Sequence, residues 1–232
     1  MSVMSSLVDI FASPSKAFTE RKENGKVFLP LMLILGLSVF QLWLYFDKVD
    51  YDYYIDYSVS QSAEDMTPAQ IEQTRDALSS IPKTGLMSAA MGSAAVMTLI
   101  LFLLLAVYLI VVSNVRNDEL TFGQCFSLIV WSHFVMIVSI LIGIVGILLA
   151  DSNQIPLEIA RGLSLQNLLS LAEPADNTFK IWSNLDLSSA VWANILLAIG
   201  YKQFTNSSMT ASLIIGFIPT TIIMTLVVMW AL

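Results

Sequence analysis

The sequence predicts an all-α integral membrane protein, a bundle of five transmembrane helices with an interfacial amphipathic helix at its N-terminus. Two observations predict this fold class. Hydrophobic residues make up 56% of the 232 residues and charged residues only 12%, against about 25% charged residues in an ordinary globular domain. The chain also contains apolar runs of membrane-spanning length, and it is too short to hide them all from water in one core.

The same composition excludes several classes of protein. A cytosolic enzyme or a secreted disulfide scaffold would not carry so much apolar surface, and the single cysteine, Cys125, cannot form an intrachain disulfide. The net charge of −7 repels polyphosphates, so no nucleic-acid partner is expected. The composition therefore predicts the lipid bilayer as a partner of the chain.

A helix needs about 20 mainly apolar residues to cross a hydrocarbon core of roughly 30 Å. Five stretches qualify, and we expect spans at residues 28–46, 87–113, 125–150, 187–201 and 209–232. The fourth is short and contains Ser188, Ser189 and Asn194, which suits a helix surrounded by other helices rather than by lipid. The alternative for this stretch is a re-entrant or interfacial helix, which would leave four spans.

Residues 1–27 are expected to form a cytoplasmic amphipathic segment, and residues 28–232 the membrane domain. Four apolar residues of the segment share one helical face: Val3, Leu7, Ile10 and Phe11. Ser13 and Pro14 suit the N-cap and the first position of a second short helix. With cations around it, this segment is predicted to lie in the headgroup region. The alternative is a disordered tail.

The charges predict the orientation, because lysine and arginine mark the cytoplasmic side. The N-terminal segment contains Lys16, Arg21, Lys22 and Lys26, whereas the loops at residues 47–86 and 151–186 have net charges of −5 and −3. We therefore expect a multi-pass protein with its N-terminus in the cytoplasm. Both acidic loops and the C-terminus are expected outside.

The two outer loops have predicted features of their own. An acidic, tyrosine-rich run at residues 47–57 is expected to be a solvated face, because it lacks the Asp-x-Asp-x-Asp-Gly pattern of a calcium loop. The stretch Thr67-Pro68-Ala69-Gln70 matches a capping box and predicts a helix to about Ser79. In the second loop, leucines and isoleucines predict one helix over residues 156–171.

Three polar residues in or beside the spans are candidate functional or packing residues: His133, Asn194 and Asp186. His133 has only Cys125 as a nearby ligand, so a metal site or proton relay is the weaker alternative to a neutral histidine bonded to a neighbouring helix. Asn194 is expected to bond between helices. Asp186 is expected to cap the N-terminus of its helix.

The fourth candidate is Pro219, which removes one backbone donor from the fifth span. Its position predicts a kink and a freed carbonyl at Ile215. A static bundle is the favoured interpretation, and a transporter hinge is the alternative. Small residues also predict packing seams in spans three, four and five: Ser132, Ser139, Gly143 and Gly146; Ala190, Asn194 and Ala198; Ser212, Gly216 and Thr220.

Motifs for catalysis are absent from the sequence, which has no His-Glu-x-x-His, no Gly-x-Ser-x-Gly and no phosphate-binding glycine loop. We therefore predict no catalytic residue, no cofactor and no metal ligand. Transport of a small solute or a cation is the alternative function. It would use His133, Asn194 and Pro219, with the acidic loops at the outer mouth.

Three patterns follow one another along the chain. Ile-Phe-Ala-Ser-Pro ends at Pro14, Leu-Thr-Phe-Gly-Gln ends at Gln124, and Trp192 precedes a Leu-Leu-Ala-Ile-Gly run that ends at Gly200. Together they resemble the Yip1 domain family of small five-span membrane proteins. Seven residues carry the resemblance: Phe11, Pro14, Thr121, Phe122, Gln124, Trp192 and Gly200. The family often has a proline a few residues into span three, where residues 132–135 here read Ser-His-Phe-Val.

This resemblance implies a polytopic protein without enzymatic activity. Eukaryotic members of the family act in vesicle traffic and bind small GTPases and one another. The short N-terminal segment of this chain resembles that of bacterial inner-membrane members. We therefore expect a membrane-organising or partner-binding role, with another membrane protein or a second copy of the chain as the partner.

Overall fold

The computed structural model describes residues 3–23, 25–61, 66–174 and 176–231. Within those residues the chain is helical, apart from one isolated β-bridge between Ser164 and Asp186. The α-helices are α1 Val3–Ala12, α2 Pro14–Glu23, α3 Phe28–Lys48, α4 Tyr51–Ser60, α5 Pro68–Ser79, α6 Lys83–Arg116, α7 Phe122–His133, α8 Met136–Leu149, α9 Leu165–Leu169, α10 Asn177–Asn184, α11 Ala193–Thr205 and α12 Met209–Ala231. A 3-10 turn covers Leu157–Ala160 and a π turn covers Ser188–Trp192.

Four helices of the described chain are long and apolar enough to cross a membrane: Phe28–Lys48, Lys83–Arg116, Phe122–Leu149 and Met209–Ala231. Only 17% of the apolar stretch of α6, and 17% of that of α12, is buried. Their exposed surfaces are therefore mainly aliphatic and suited to lipid. The predicted all-helical membrane fold is confirmed to this extent. The fourth predicted span is helical from the π turn through α11, but it is not among these four.

Internal contacts group the chain into two units. The first unit combines residues 1–36, 96–137 and 188–223, and the second combines residues 37–95, 138–187 and 224–232. The N-terminal helices and both short connections between spans belong to the first unit. Both long loops belong to the second.

Helix α7 is the centre of the first unit. All residues from Ser127 to His133 are buried, which means that the helix is covered on every side. Its neighbours in the core include Phe102 of α6, Leu197 of α11 and Phe18 of α2. A helix that is apolar all round and fully covered forms the core of a bundle rather than its surface.

The third predicted span is interrupted although it has no proline. Helix α7 ends at His133, and α8 begins at Met136. The Oγ of Ser132 donates to the carbonyl oxygen of Ile129 at 3.0 Å, and Nδ1 of His133 lies 2.9 Å from the same oxygen. These side chains occupy the acceptor that the next helical turn would use, and such local bonds favour a break in a helix.

Helices α11 and α12 pack along the predicted small-residue seam. A Cβ atom on Gly216 would lie 2.8 Å from the carbonyl oxygen of Asn194. Only glycine allows the two backbones to approach this closely. The seam predicted for these two helices is confirmed.

The second unit has its own core, formed by α3, α8 and the loops. Tyr45 and Phe46 are buried in it beside Ile147. The amide nitrogen of Gln41 donates to the carbonyls of Ile140 at 3.0 Å and Ala160 at 2.9 Å. A buried amide with two carbonyl partners fixes the second loop against α3 and α8.

Gly143 of α8 packs against this loop and against the Gln41 side chain of α3. A Cβ atom there would lie 2.8 Å from the carbonyl oxygen of Ala160. At Gly143 the seam predicted on span three therefore receives loop backbone as well as a side chain of α3, and both need the space that a side chain at this position would fill.

Two loop predictions have opposite outcomes. Helix α5 begins at Pro68 behind a capping box of Thr67 and Gln70, as predicted, and ends at Ser79. The single helix expected over residues 156–171 is wrong, because the chain forms only the 3-10 turn and the short helix α9 there. Extended backbone pairing interrupts it: the amide of Leu165 donates to Leu185, and the amide of Leu187 donates to Leu163, both at 3.0 Å.

Candidate functional site

In the first unit, the N-terminal helices pack against later helices of the chain. Helix α2 begins at Pro14, as predicted. Ile10, Ala17 and Phe18 are fully buried in the core. The apolar face expected on α1 therefore packs in part against the protein itself, and not only toward a headgroup layer.

Gly200 sets how closely α2 and α7 approach α11. A Cβ atom at this position would lie 2.7 Å from Cδ2 of Leu128 and 2.8 Å from ring atoms of Phe18. Contacts this short are not found for real Cβ atoms. The glycine of the family pattern therefore allows α2, α7 and α11 to pack closely at this point.

Two aromatic residues of the family patterns meet in the same unit. The ring of Phe11 lies edge-on to that of Trp192, with centroids 5.6 Å apart and planes at 76°. Phe134 makes a second edge contact with Phe11 at 6.1 Å. Such contacts contribute about 0.5–1.5 kcal/mol each beyond burial. The two sequence motifs that contain Phe11 and Trp192 are therefore in contact in the folded structure.

The pattern at residues 120–124 is the start of α7. Oε1 of Gln124 accepts from the Thr121 amide at 2.9 Å, and Oγ1 of Thr121 accepts from the Gln124 amide at 3.3 Å. This reciprocal capping box satisfies two donors and fixes where α7 begins. Phe122 is 45% exposed and stacks on Phe126.

Arg21 is buried beside α7, and the sequence prediction placed it among headgroup-facing cations. It is only 2% exposed, and its guanidinium lies 5.4 Å from the centre of the Trp131 ring. The nearest described carboxylate, that of Glu20, lies 3.8 Å from Nη2. The indole nitrogen of Trp131 donates to the carbonyl of Lys26 at 3.2 Å. No sequence signal distinguishes Arg21 from the lysines around it.

A polar network joins the two short connections between spans. The hydroxyl of Tyr201 donates to Asp118 at 2.6 Å, and Arg116 contacts the same carboxylate at 3.0 Å. Arg116 also donates to the Oγ of Ser207 at 3.0 Å. The connection after α6 and the one after α11 are thus bonded to each other.

His133 is 6% exposed and packs against the ring of Phe102 at 5.1 Å. Its described hydrogen-bond partners are Ile129 and Ser132 of its own helix, at 2.9 Å and 3.2 Å. The expected bond to a neighbouring helix is therefore replaced by bonds within α7. The break after His133 accounts for this, because the ring folds back onto its own last turn.

Asn194 and Pro219 lie on the facing helices α11 and α12. The amide of Asn194 donates to the carbonyl of Ala190 at 2.8 Å and to the hydroxyl of Thr220 at 2.7 Å. The carbonyl freed by Pro219 accepts from the hydroxyl of Tyr108 at 2.9 Å. The Asn194 amide and the carbonyl freed by Pro219 therefore each bond to a neighbouring helix.

Asp186 belongs to the second unit, whereas the other three candidates belong to the first. Its Oδ2 accepts from the Oγ of Ser139 at 2.6 Å. The same hydroxyl accepts from the amide of Leu163 at 3.0 Å. Asp186 thus holds the second loop onto α8, a role that the capping prediction did not include.

Glu158 is a buried carboxylate that the sequence prediction did not single out. It is 8% exposed and accepts a very short hydrogen bond from Tyr57 and a 3.0 Å bond from Gln61. Burial, the hydrogen bond to Glu158 and its charge raise the pKa of Tyr57. The pair lines a pocket of about 360 Å³ between the two loops.

Among the described residues, no group of three or more histidine, cysteine or carboxylate side chains is placed to hold a metal ion. In the acidic run, Asp50 caps α4 by accepting from the Tyr53 amide at 2.9 Å, and Asp56 pairs with Arg75 at 2.8 Å. Asp47, Asp52 and Asp56 of this run are exposed, as expected for a solvated face.

Comparison with known proteins gives one match. The family model described as the Yip1 domain matches residues 8–231, nearly the whole chain. No curated protein and no solved structure matches it. The matched range includes all seven residues that carried the resemblance, and the structure brings Phe11 and Trp192 into contact. The chain belongs to the Yip1 domain family.

Proposed function

We propose that this chain is a non-catalytic, multi-pass protein of the bacterial inner membrane that organises the membrane or binds a partner through its N-terminal segment, residues 1–27. The observation that carries the proposal is that α1 has apolar side chains on two faces. Ile10 is buried in the core, whereas Met4 and Val8 are each 66% exposed. The chain does not bury this second apolar face, so we expect a partner or the membrane to cover it.

The exposed face continues to Phe11, which is 38% exposed. Met4, Val8 and Phe11 are spaced as neighbours on one side of a helix. Exposed apolar stripes on a polar background mark surfaces that contact proteins or membranes. The preferred partner is another membrane protein or a second copy of the chain.

The orientation with the N-terminus in the cytoplasm is part of this proposal. Hydrogen bonds between connections support it, because the Arg116–Ser207 and Tyr201–Asp118 bonds join the two short connections that five spans with a cytoplasmic N-terminus would place inside. The two acidic loops are joined likewise: the amide of Asp50 donates to the carbonyl of Asn153 at 2.8 Å.

We also propose five spans, with residues 187–201 as the fourth. The chain changes from one unit to the other at residues 36, 95, 137, 187 and 223. Each change falls within or at the end of a predicted span. The fourth change coincides with the π turn and α11, whose residues Ala193, Leu197 and Tyr201 are buried among helices. A helix with such neighbours can be short and partly polar.

Transport is the alternative, and two of the polar groups predicted for it have partners within the bundle. His133 is covered by Phe102, and Asn194 is bonded to Ala190 and Thr220. Satisfied polar groups inside a bundle hold helices together.

Site-specific photocrosslinking in native membranes tests the proposal. A photoreactive residue at position 8 should crosslink to a membrane protein or to a second copy. The same residue at position 115, where Val115 is 78% exposed at the end of α6, serves as the control and should not. Met4→Ser should reduce the crosslink at position 8. Crosslinks to lipid alone would contradict partner binding, and liposome flux that is lost in Asn194→Ala would favour transport.

A further inference from the structure

A pocket of about 390 Å³ opens beside the start of α7 in the first unit. Two short segments line it. One is the end of α2 with the residues after it, and the other is the capping box of α7. The lining residues are Arg21, Lys22 and Gly25 from the first segment, and Thr121, Gly123 and Gln124 from the second.

Arg21 brings a buried positive charge to this pocket without a complete set of partners. Its Nε and Nη1 atoms are buried and make no hydrogen bond to any described residue. The Trp131 ring and the 3.8 Å contact with Glu20 compensate only part of the charge. A buried guanidinium is costly unless its donors are satisfied by an anion or by acceptors.

The N-terminus of α7 supplies further donors from the other wall. The helix has 12 residues, and its first turn ends in the pocket at Gly123 and Gln124. The first four amides of a helix have no acceptor within it, and they carry partial positive charge toward the solvent. The capping box occupies the amides of Thr121 and Gln124. The space beside Gly123 is open, since a Cβ atom there would meet nothing within 4 Å.

A second buried donor lies next to Gly25, which lines the pocket. The hydroxyl of Ser127 is buried and makes no hydrogen bond to any described residue. It lies 3.5 Å from the position that a Cβ atom on Gly25 would occupy. Gly123, Ser127 and Trp131 follow one another at intervals of four residues, so one face of α7 runs from the pocket to the ring beneath Arg21.

We propose that this pocket binds the phosphate group of a ligand, held between the buried Arg21 guanidinium and the first turn of α7. Arginine matches phosphate oxygens with paired donors, and helix N-termini bind the same anions. Lys22 adds a cation at the rim. The phosphate can belong to a free anion or to a lipid headgroup of the leaflet beside the N-terminal segment. The site does not depend on whether α1 binds a partner.

Thermal unfolding of the purified full-length chain in a neutral detergent tests the proposal. In one series inorganic phosphate replaces chloride at constant ionic strength. In the other, short-chain phosphatidic acid is compared with phosphatidylcholine of the same chain length. A rise in unfolding temperature with phosphate and with phosphatidic acid supports a site for the group from either source. A rise with phosphatidic acid alone supports the lipid as the source. No rise in either series, or equal rises with both lipids, overturns the proposal.

Arg21→Gln identifies the residue, with Arg75→Gln as the matched control. Arg75 is an arginine whose side chain is 49% exposed and paired with Asp56 in the second unit. Arg21→Gln should weaken binding about tenfold or more, because it removes charge-assisted hydrogen bonds, whereas Arg75→Gln should bind like the unchanged protein. An unaltered response in Arg21→Gln would overturn the proposal.

A second pair of variants keeps Arg21 in place in case its loss unfolds the protein. Gly123→Asp puts a carboxylate into the open space at the first turn of α7, where it should occupy the donors and abolish the response to phosphate. Gly123→Ala adds only a methyl group and should retain the response. If Gly123→Asp responds as strongly as Gly123→Ala, phosphate does not bind at this turn, and the proposal fails.

Discussion

Tyr108 donates to a carbonyl that its own helix cannot satisfy. Pro219 has no amide hydrogen, so the Ile215 oxygen lacks its helical donor, and the Tyr108 hydroxyl reaches it at 2.9 Å. Tyr108→Phe should therefore lower the free energy of unfolding by about 0.5–1.5 kcal/mol, the usual net value of such a bond. Unfolding in mixed detergent micelles, followed by circular dichroism, measures this change.

A double-mutant cycle tests more directly whether Tyr108 and Pro219 act through the same carbonyl. Pro219→Ala restores an amide that can donate to Ile215. In that background Tyr108→Phe should cost less than in the unchanged protein, so the two effects should not add. Additive effects would mean that Tyr108 stabilises the bundle by packing alone.

The hydrogen bond from Tyr57 to Glu158 should stabilise the second unit. Tyr57→Phe removes a donor from a buried carboxylate and should cost about 1–3 kcal/mol. Tyr51→Phe is the control, since Tyr51 donates to a carbonyl, that of Ile81, in an exposed position; its cost should be within about 0.5 kcal/mol. Equal losses in the two variants would contradict the importance of Glu158.

The same tyrosine predicts a pH dependence. The pKa of Tyr57 is raised in the folded protein, chiefly by burial. Its contribution to stability is then complete below the ordinary tyrosine pKa of about 10 and is lost as the pH rises beyond it. The unfolding temperature should therefore fall as the pH rises above about 10, and it should fall less in Tyr57→Phe.

The sequence predicts the structural role of some residues but not of others. The freed carbonyl of Ile215 follows from a rule within one helix, so Pro219 alone predicts it. The burial of Arg21 and Glu158 depends on partners about 100 residues away along the chain, such as Trp131 and Tyr57. No local pattern contains that information.

At the scale of helices, Gly200 should control how the N-terminal helices pack. Gly200→Ala brings a methyl group against Leu128 and Phe18, whose side chains must move. We expect a loss of about 1–3 kcal/mol in unfolding free energy from this overpacking. Limited proteolysis should cut the N-terminal segment faster in the variant.

Gly36→Ala is the matched control in the same unit, because a Cβ atom on Gly36 would meet nothing within 4 Å. Replacing a helical glycine by alanine in open space should stabilise the helix by up to about 1 kcal/mol. A Gly200→Ala protein as stable and as protease-resistant as Gly36→Ala would show that α2 and α11 can separate without cost.

Helices were predictable where their ends carry local signals. The capping box at Thr67 and proline at position 14 placed the starts of α5 and α2 correctly. Helix α4 was missed, although Asp50 is a good N-cap and Ile55 and Val59 repeat at helical spacing. The helix predicted after Pro156 failed for a different reason, since pairing of residues 163–165 with residues 185–187 outweighs local helix preference there.

At the scale of the whole molecule, charge predicts which loops share a side, and hydrogen bonds group the same loops. The number of crossings depends on residues 187–201, for which hydropathy alone does not decide between a span and a re-entrant helix. If they cross, Ser208 lies on the side of Ser15. If they turn back, Ser208 lies on the side of Ser152.

Accessibility of single cysteines decides between these topologies. In a Cys125→Ala background, Ser15, Ser79, Ser152 and Ser208 are each replaced by cysteine, a nearly isosteric change at an exposed position. With a membrane-impermeant thiol reagent on intact cells, positions 79 and 152 should react, and positions 15 and 208 should react only after the membrane is opened. Reaction at position 208 in intact cells, with position 15 still protected, would give four spans, because only a fourth segment that fails to cross leaves that residue outside.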